Sequence, residues 1–124
     1  MKDKTNDVIG LAKKAADVCP WCLDQTSISY FKCLEEEVAE IKDALDKKDF
    51  DNLENEIGDT LWVLFVLAYI CEREGKIKTK NSVERILKKI NNRKPWLIEG
   101  KEVTKEDAVK IWAEAKAKEK ITKK

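Results

Sequence analysis

Eleven consecutive apolar residues, Leu61 to Cys71, sit in the middle of a chain in which 40% of residues are charged. The run is too short to span a bilayer as a helix, which takes about 20 residues. Read as a helix, Leu61–Ala68 is apolar on every side, and a helix without a polar face must be surrounded. One chain of 124 residues with few other apolar helices can hardly surround it. The run therefore predicts a buried helix that packs at a subunit interface.

Directly upstream lies the acidic part of the chain. Glu36-Glu37-Val38-Ala39-Glu40 is followed by fifteen residues and then Glu56-Ile57-Gly58-Asp59. On a helix, residues three apart lie about 60° from each other, so Glu37 pairs with Glu40 and Glu56 with Asp59. A short turn would fold the two helices antiparallel and set the pairs face to face. Four carboxylates meeting at one spot repel unless a cation separates them. All-oxygen ligation suits a hard ion such as Mg²⁺ or Mn²⁺. The bland alternative is that these are solvated faces of charged helices.

Composition narrows the chemistry. Histidine is absent, which removes a His general base, Ser-His-Asp or Cys-His nucleophile systems and mixed Cys/His zinc sites. Net charge is +1, so nothing global favours nucleic acid or membrane. The charge is segregated: residues 35–59 carry a net of −8 and residues 76–94 a net of +7. That suits an acidic metal site beside a basic anion site, or simply paired helix faces. No segment resembles a signal peptide, and the chain is expected to be soluble and cytoplasmic. The length fits one domain over 1–124, with tails at 1–6 and 117–124 expected to fray.

In chain order, Val8, Leu11, Ala12, Ala15 and Ala16 mark a short amphipathic helix from Asp7. Cys19-Pro20-Trp21-Cys22 stops it. Cys-x-x-Cys can be a redox dithiol, although that reading wants a βαβ context. It can join Cys33 and Cys71 in a zinc site, although their spacing is poor. It can also be two reduced thiols. A long helix from about Ser27 to Lys47 carries Phe31, Leu34, Val38, Ile41 and Leu45 as its apolar stripe, with Glu37 at the stripe's edge. Asp49 or Asp51 can cap the next helix, which runs to about Glu74 and ends at Gly75. Asn81 can cap a fourth, with Lys89 and Arg93 one turn apart on its flank. Thr104 and Asp107 start a last helix, with Ala108, Ile111, Trp112 and Ala115 inward.

The ordered set of these motifs resembles the MazG family of nucleoside triphosphate pyrophosphohydrolases. The family's mark, Glu-Glu-x-x-Glu followed by Glu-x-x-Asp, is matched by Glu36 to Asp59. Cys19-Pro20-Trp21 with Asp24-Gln25-Thr26, Asp49-Phe50-Asp51-Asn52-Leu53, the Lys89/Arg93/Pro95 spacing and Trp112 to Lys116 are similar to further family segments. The resemblance covers about residues 17–120. Two departures stand out: Cys22 replaces an aspartate, and Trp62 stands where an aliphatic or phenylalanine residue is common.

The resemblance implies an all-α, four-helix-bundle-like fold completed by dimerisation, as a homodimer or a dimer of dimers. It implies hydrolysis of a nucleoside triphosphate to monophosphate and pyrophosphate, as in nucleotide-pool house-cleaning. Glu37, Glu40, Glu56 and Asp59 would then hold Mg²⁺, with Mn²⁺ as the alternative. Glu36 would orient or deprotonate the attacking water. Lys89 and Arg93 would neutralise phosphate charge. Trp21, Trp62 or Trp96 could stack on the base, with Gln25 and Asn92 in the substrate site. Buried tryptophan is the plainer account of each of the three rings. Two rivals remain from other classes: a catalytically silent helical interaction module, and a Cys19/Cys22 dithiol protein.

Overall fold

A computed structural model describes residues 3–122. Seven helices follow in order: α1 (Thr5–Val18), α2 (Pro20–Leu23), α3 (Ser27–Asp46), α4 (Phe50–Arg73), α5 (Thr79–Arg93), α6 (Pro95–Glu99) and α7 (Lys105–Thr122). No strand is present among the described residues, in agreement with the all-α expectation. None of their helices is long and apolar enough to cross a membrane. The chain divides into two compact units, one up to Thr79 and one from Lys80.

The first unit is built on α1, α3 and α4. The Thr26 hydroxyl accepts from the Ser29 N–H, and Ser29 Oγ accepts from the Thr26 N–H, so the start of α3 is doubly capped. A short turn through Lys48 (φ 55°) leads into α4, whose first turn is capped by Asp49 Oδ1 accepting from the Asn52 N–H. This turn is what lets α4 fold back along α3. At the far end, Gly75 takes a left-handed φ of 75°. Its N–H donates to the Glu72 carbonyl, and that of Lys76 donates to the Cys71 carbonyl. These two bonds satisfy carbonyls that a helix end would leave bare.

The core gathers Ala12 and Ala16 of α1, Cys22, Tyr30 of α3, and Val63, Val66 and Ile70 of α4. Val66 and Ile70 are fully buried, each worth about 1.5–3 kcal/mol over an exposed position. The small alanines let α1 approach α4 closely. The packed face of α3 is Ser27, Tyr30, Leu34, Glu37, Ile41 and Ala44, with Phe31, Val38 and Leu45 left about half exposed. The stripe inferred from hydropathy is therefore rotated: Glu37 lies within the packed face. On α4, Leu61, Trp62 and Leu64 keep 50%, 36% and 47% of their surface exposed. One chain does not surround this helix.

The second unit holds α5 from Lys80 onward, α6 and α7. Helix α5 begins at Thr79, two residues before the expected Asn81 cap, because the Thr79 N–H finds a carboxylate in Glu72 Oε1 at 2.7 Å. Lys94 precedes Pro95, and the chain turns into the short α6 and then Gly100 at φ 70°. The Asp107 N–H donates to Thr104 Oγ1 to start α7. Helix α1 already includes Thr5 and Asn6, and α7 continues to Thr122, into stretches expected to fray. Met1, Lys2, Lys123 and Lys124, the ends of those stretches, lie outside the described residues.

Candidate metal and phosphate site

The packing of α3 on α4 brings three acids together. Glu37, Glu56 and Asp59 each place a carboxylate oxygen within 4.8 Å of the others. Glu56 is buried at 8% exposure, Glu37 is half-buried and Asp59 is exposed. Glu37 Oε2 and Glu56 Oε2 are shut off from solvent with no hydrogen-bond partner. Buried oxygens of this kind are rare unless something binds them. Glu40, the fourth expected ligand, lies outside the tight group but near enough to shift the Glu56 carboxyl.

The electrostatics follow from this crowding. The hydrogen bond that its protonated form gives Glu40, burial and the neighbouring Glu37 push the Glu56 carboxyl up to about 7. Burial raises Glu37 as well, against the opposing pull of its hydrogen bond to Glu56. Carboxyls this close to one another share the spot only if one is neutral or a cation lies between them. The donors are all carboxylate oxygens, which suits a hard divalent ion. The residues present thus fit Mg²⁺ or Mn²⁺.

The other expected site residues fall in four places. Glu36 is exposed, one residue from Glu37. Trp21 lies in α2 and Gln25 just after it: Trp21 is 55% exposed and meets Tyr30 in a T-shaped contact with ring centroids 5.8 Å apart, and Gln25 Oε1 accepts from Ser29 Oγ at 2.8 Å. Trp62 projects from α4, one turn beyond Asp59. The second unit carries Lys89, Asn92, Arg93 and Trp96. There the Arg93 guanidinium makes two bonds to Glu119 Oε2, 2.7 and 3.2 Å long, and lies 5.6 Å over the Trp112 ring. Asn92 lines a cleft of about 380 Å³ together with Ile111, Glu114 and Ala115.

Sequence reasoning missed Arg73. Its guanidinium donates to the carbonyls of Ala16 (2.6 Å), Cys22 (3.3 Å) and Gln25 (2.7 Å). It thereby ties the end of α1, α2 and the loop before α3 to the end of α4. The available signal was a charge at the end of a buried stripe, since Val63, Val66, Ile70 and Arg73 follow helical spacing.

An all-helical chain with a carboxylate cluster on two packed helices defines a class, and comparison with known proteins gives the family. The model of the MazG nucleotide pyrophosphohydrolase domain matches residues 25–98, and the chain belongs to that family. It is 30% identical over 119 residues to a nucleoside triphosphate pyrophosphohydrolase of Mycobacterium tuberculosis and 27% identical over 106 residues to one of Escherichia coli K12. These alignments cover 94% and 85% of this chain but only 37% and 40% of those proteins. A crystal structure of a MazG-related protein from Thermotoga maritima superposes with a TM-score of 0.83 at 30% identity, covering 90% of this chain and 98% of that one.

Proposed function

We propose that this chain hydrolyses nucleoside triphosphates to the monophosphate and pyrophosphate, using Mg²⁺, or Mn²⁺, held by Glu37, Glu40, Glu56 and Asp59. The observation that carries this reading is the pair of buried, unpartnered oxygens, Glu37 Oε2 and Glu56 Oε2, beside Asp59. A carboxylate held away from water needs a partner, and removing charge from such a group is the alternative. Bound there, the ion would supply Lewis-acid neutralisation of phosphate oxygens and activation of the attacking water. The names of the mycobacterial and E. coli relatives support a nucleoside triphosphate as substrate.

The chain's own groups divide the remaining work. Glu36 is exposed, next to Glu37 in the chain, and would orient the attacking water or take its proton. Lys89 and Arg93 supply cations for the phosphates. The exposed ring surface of Trp21 and Trp62 supports base stacking, with Trp96, Gln25 and Asn92 completing the substrate site. The apolar surface left on α4 at Leu61 and Leu64, and on α3 at Phe31 and Val38, supports a homodimer or a dimer of dimers. The cellular role in this reading is house-cleaning of the cytoplasmic nucleotide pool.

The test is pyrophosphate release from a panel of canonical and damaged nucleoside triphosphates in Mg²⁺. Release from at least one of them is expected. No release from any would leave a non-catalytic helical module.

A further inference from the structure

The cysteine pair at the α1–α2 junction has no part in the hydrolysis proposed above. Cys19 caps α2, and its carbonyl accepts from the Leu23 N–H at 2.9 Å. Residues 19–22 therefore make one helical turn, in which positions three apart have Cα atoms roughly 5 Å from each other. That falls inside the window of about 4.4–6.8 Å that a disulfide spans. The two thiols differ in setting. Cys19 is half-buried at the surface, whereas Cys22 is 5% exposed and packs in the core with Ala12, Ala16, Tyr30 and Val66. The backbone N–H groups of Cys22 and Trp21 hold the Cys19 thiol below its usual range, while burial pushes Cys22 up. Among the described residues, the one cluster of donors close enough to share a metal ion contains no cysteine, which argues against a thiolate metal site.

We infer that Cys19 and Cys22 form a reversible dithiol–disulfide couple, with Cys19 attacking a small-molecule disulfide and Cys22 resolving the mixed product. In the first step the Cys19 thiolate bonds to one sulfur of the disulfide, and its other sulfur leaves as a thiolate. In the second, Cys22 loses its proton to solvent and attacks the Cys19 sulfur, releasing the second thiolate. The pair loses two electrons and the small disulfide gains two. Excess thiol reverses both steps. The geometry needs only a helical turn with one accessible and one buried thiol.

The experiment treats the full chain with oxidised glutathione, alkylates the remaining thiols and digests with trypsin. The peptide Ala15–Lys32 contains Cys19 and Cys22 and no other cysteine. Two alkylatable thiols should be lost, both from that peptide, and both should return with excess reduced glutathione. Cys22→Ser and Cys22→Ala should each trap glutathione on Cys19, and Cys19→Ser should prevent both products. Full alkylation of Ala15–Lys32, or equal loss of thiols from the Cys33 and Cys71 peptides, would overturn the inference. So would Cys22 variants of native helicity that hold no glutathione. If those variants fail to fold, the wild-type peptide result decides.

Discussion

Two glutamates, one near each end of helix α4, have opposite surroundings. Near its start, Glu56 meets Glu37, Glu40 and Asp59, and its carboxyl is pushed up to about 7. Just past its end, Glu74 accepts from the Ser27 N–H at 3.0 Å and pairs with Lys76 at 3.1 Å. Its carboxyl is drawn down to about 2, chiefly by Ser27. The residue type is the same, yet one site is short of positive charge and the other has what it needs. A carboxylate whose partners are all present is structural. One whose partners are only more carboxylates stands ready for something from outside the chain.

The largest effect should come from breaking the first site. Glu40→Gln and Asp59→Asn are each expected to cut pyrophosphate release at least about 100-fold, because even the partners of metal ligands are worth 10–100-fold. Circular dichroism should show the helices intact. Activity within twofold of wild type in both variants would remove these residues from the site. The site should also respond to metal in the absence of substrate. At a hundred times its dissociation constant, Mg²⁺ should stabilise the fold by about 2.7 kcal/mol, read as a raised Tm. The gain should vanish in Asp59→Asn.

The two glutamates also predict opposite pH behaviour. Glu56 binds its proton more tightly folded than unfolded, where a glutamate titrates near about 4.3. The metal-free protein should therefore lose stability as pH rises from about 4.3 to 7. Glu56→Gln should flatten that fall. Glu74 is the reverse case: its contribution is present above about 4.3 and is lost as pH drops towards about 2. Glu74→Gln should lower Tm at pH 7, and the deficit should close in acid. Matching profiles for the two variants would erase the contrast.

Smaller effects concern the groups around the site. Leu64 is 47% exposed in the single chain, so Leu64→Glu tests assembly. Sedimentation should show the oligomer lost, and a wild-type oligomer would count against α4 as an interface. Arg93→Ala should raise KM or lower kcat about 10-fold or more, the scale of a lost charge-assisted bond. Arg93→Lys should recover only part, since lysine cannot make the forked contact. A rate loss that simply follows the melting curve would leave Arg93 as the partner of Glu119.

The five longer helices were legible because their signals are local: Asp49 and Thr104 start α4 and α7 as hydrogen-bonding side chains at the right spacing, and Gly75 ends α4 at a φ other residues resist, whereas the short α2 and α6 were not foreseen and α5 starts ahead of the expected Asn81 cap. The rotation of α3 was not, because packing is decided by partners. Tyr30 and Ala44 pack inward while Phe31 and Leu45 stay exposed, and hydropathy alone ranks them the other way. The acidic cluster was foreseen from two i,i+3 pairs. The inequality within it, with Glu56 buried and Glu40 to one side, depends on that same rotation. The place of Arg73 at the end of the buried stripe was legible, but its partners were not, because all three acceptors are backbone carbonyls, which no side-chain pattern marks.

The most direct test uses Glu56→Gln, which keeps the shape of the side chain and removes its charge. Pyrophosphate release should be measured for this variant and for wild type, in Mg²⁺ and again in excess EDTA. The account predicts release only by wild type with metal, with both proteins equally helical. Release by wild type in EDTA, or by Glu56→Gln at a rate within twofold of wild type, would contradict it.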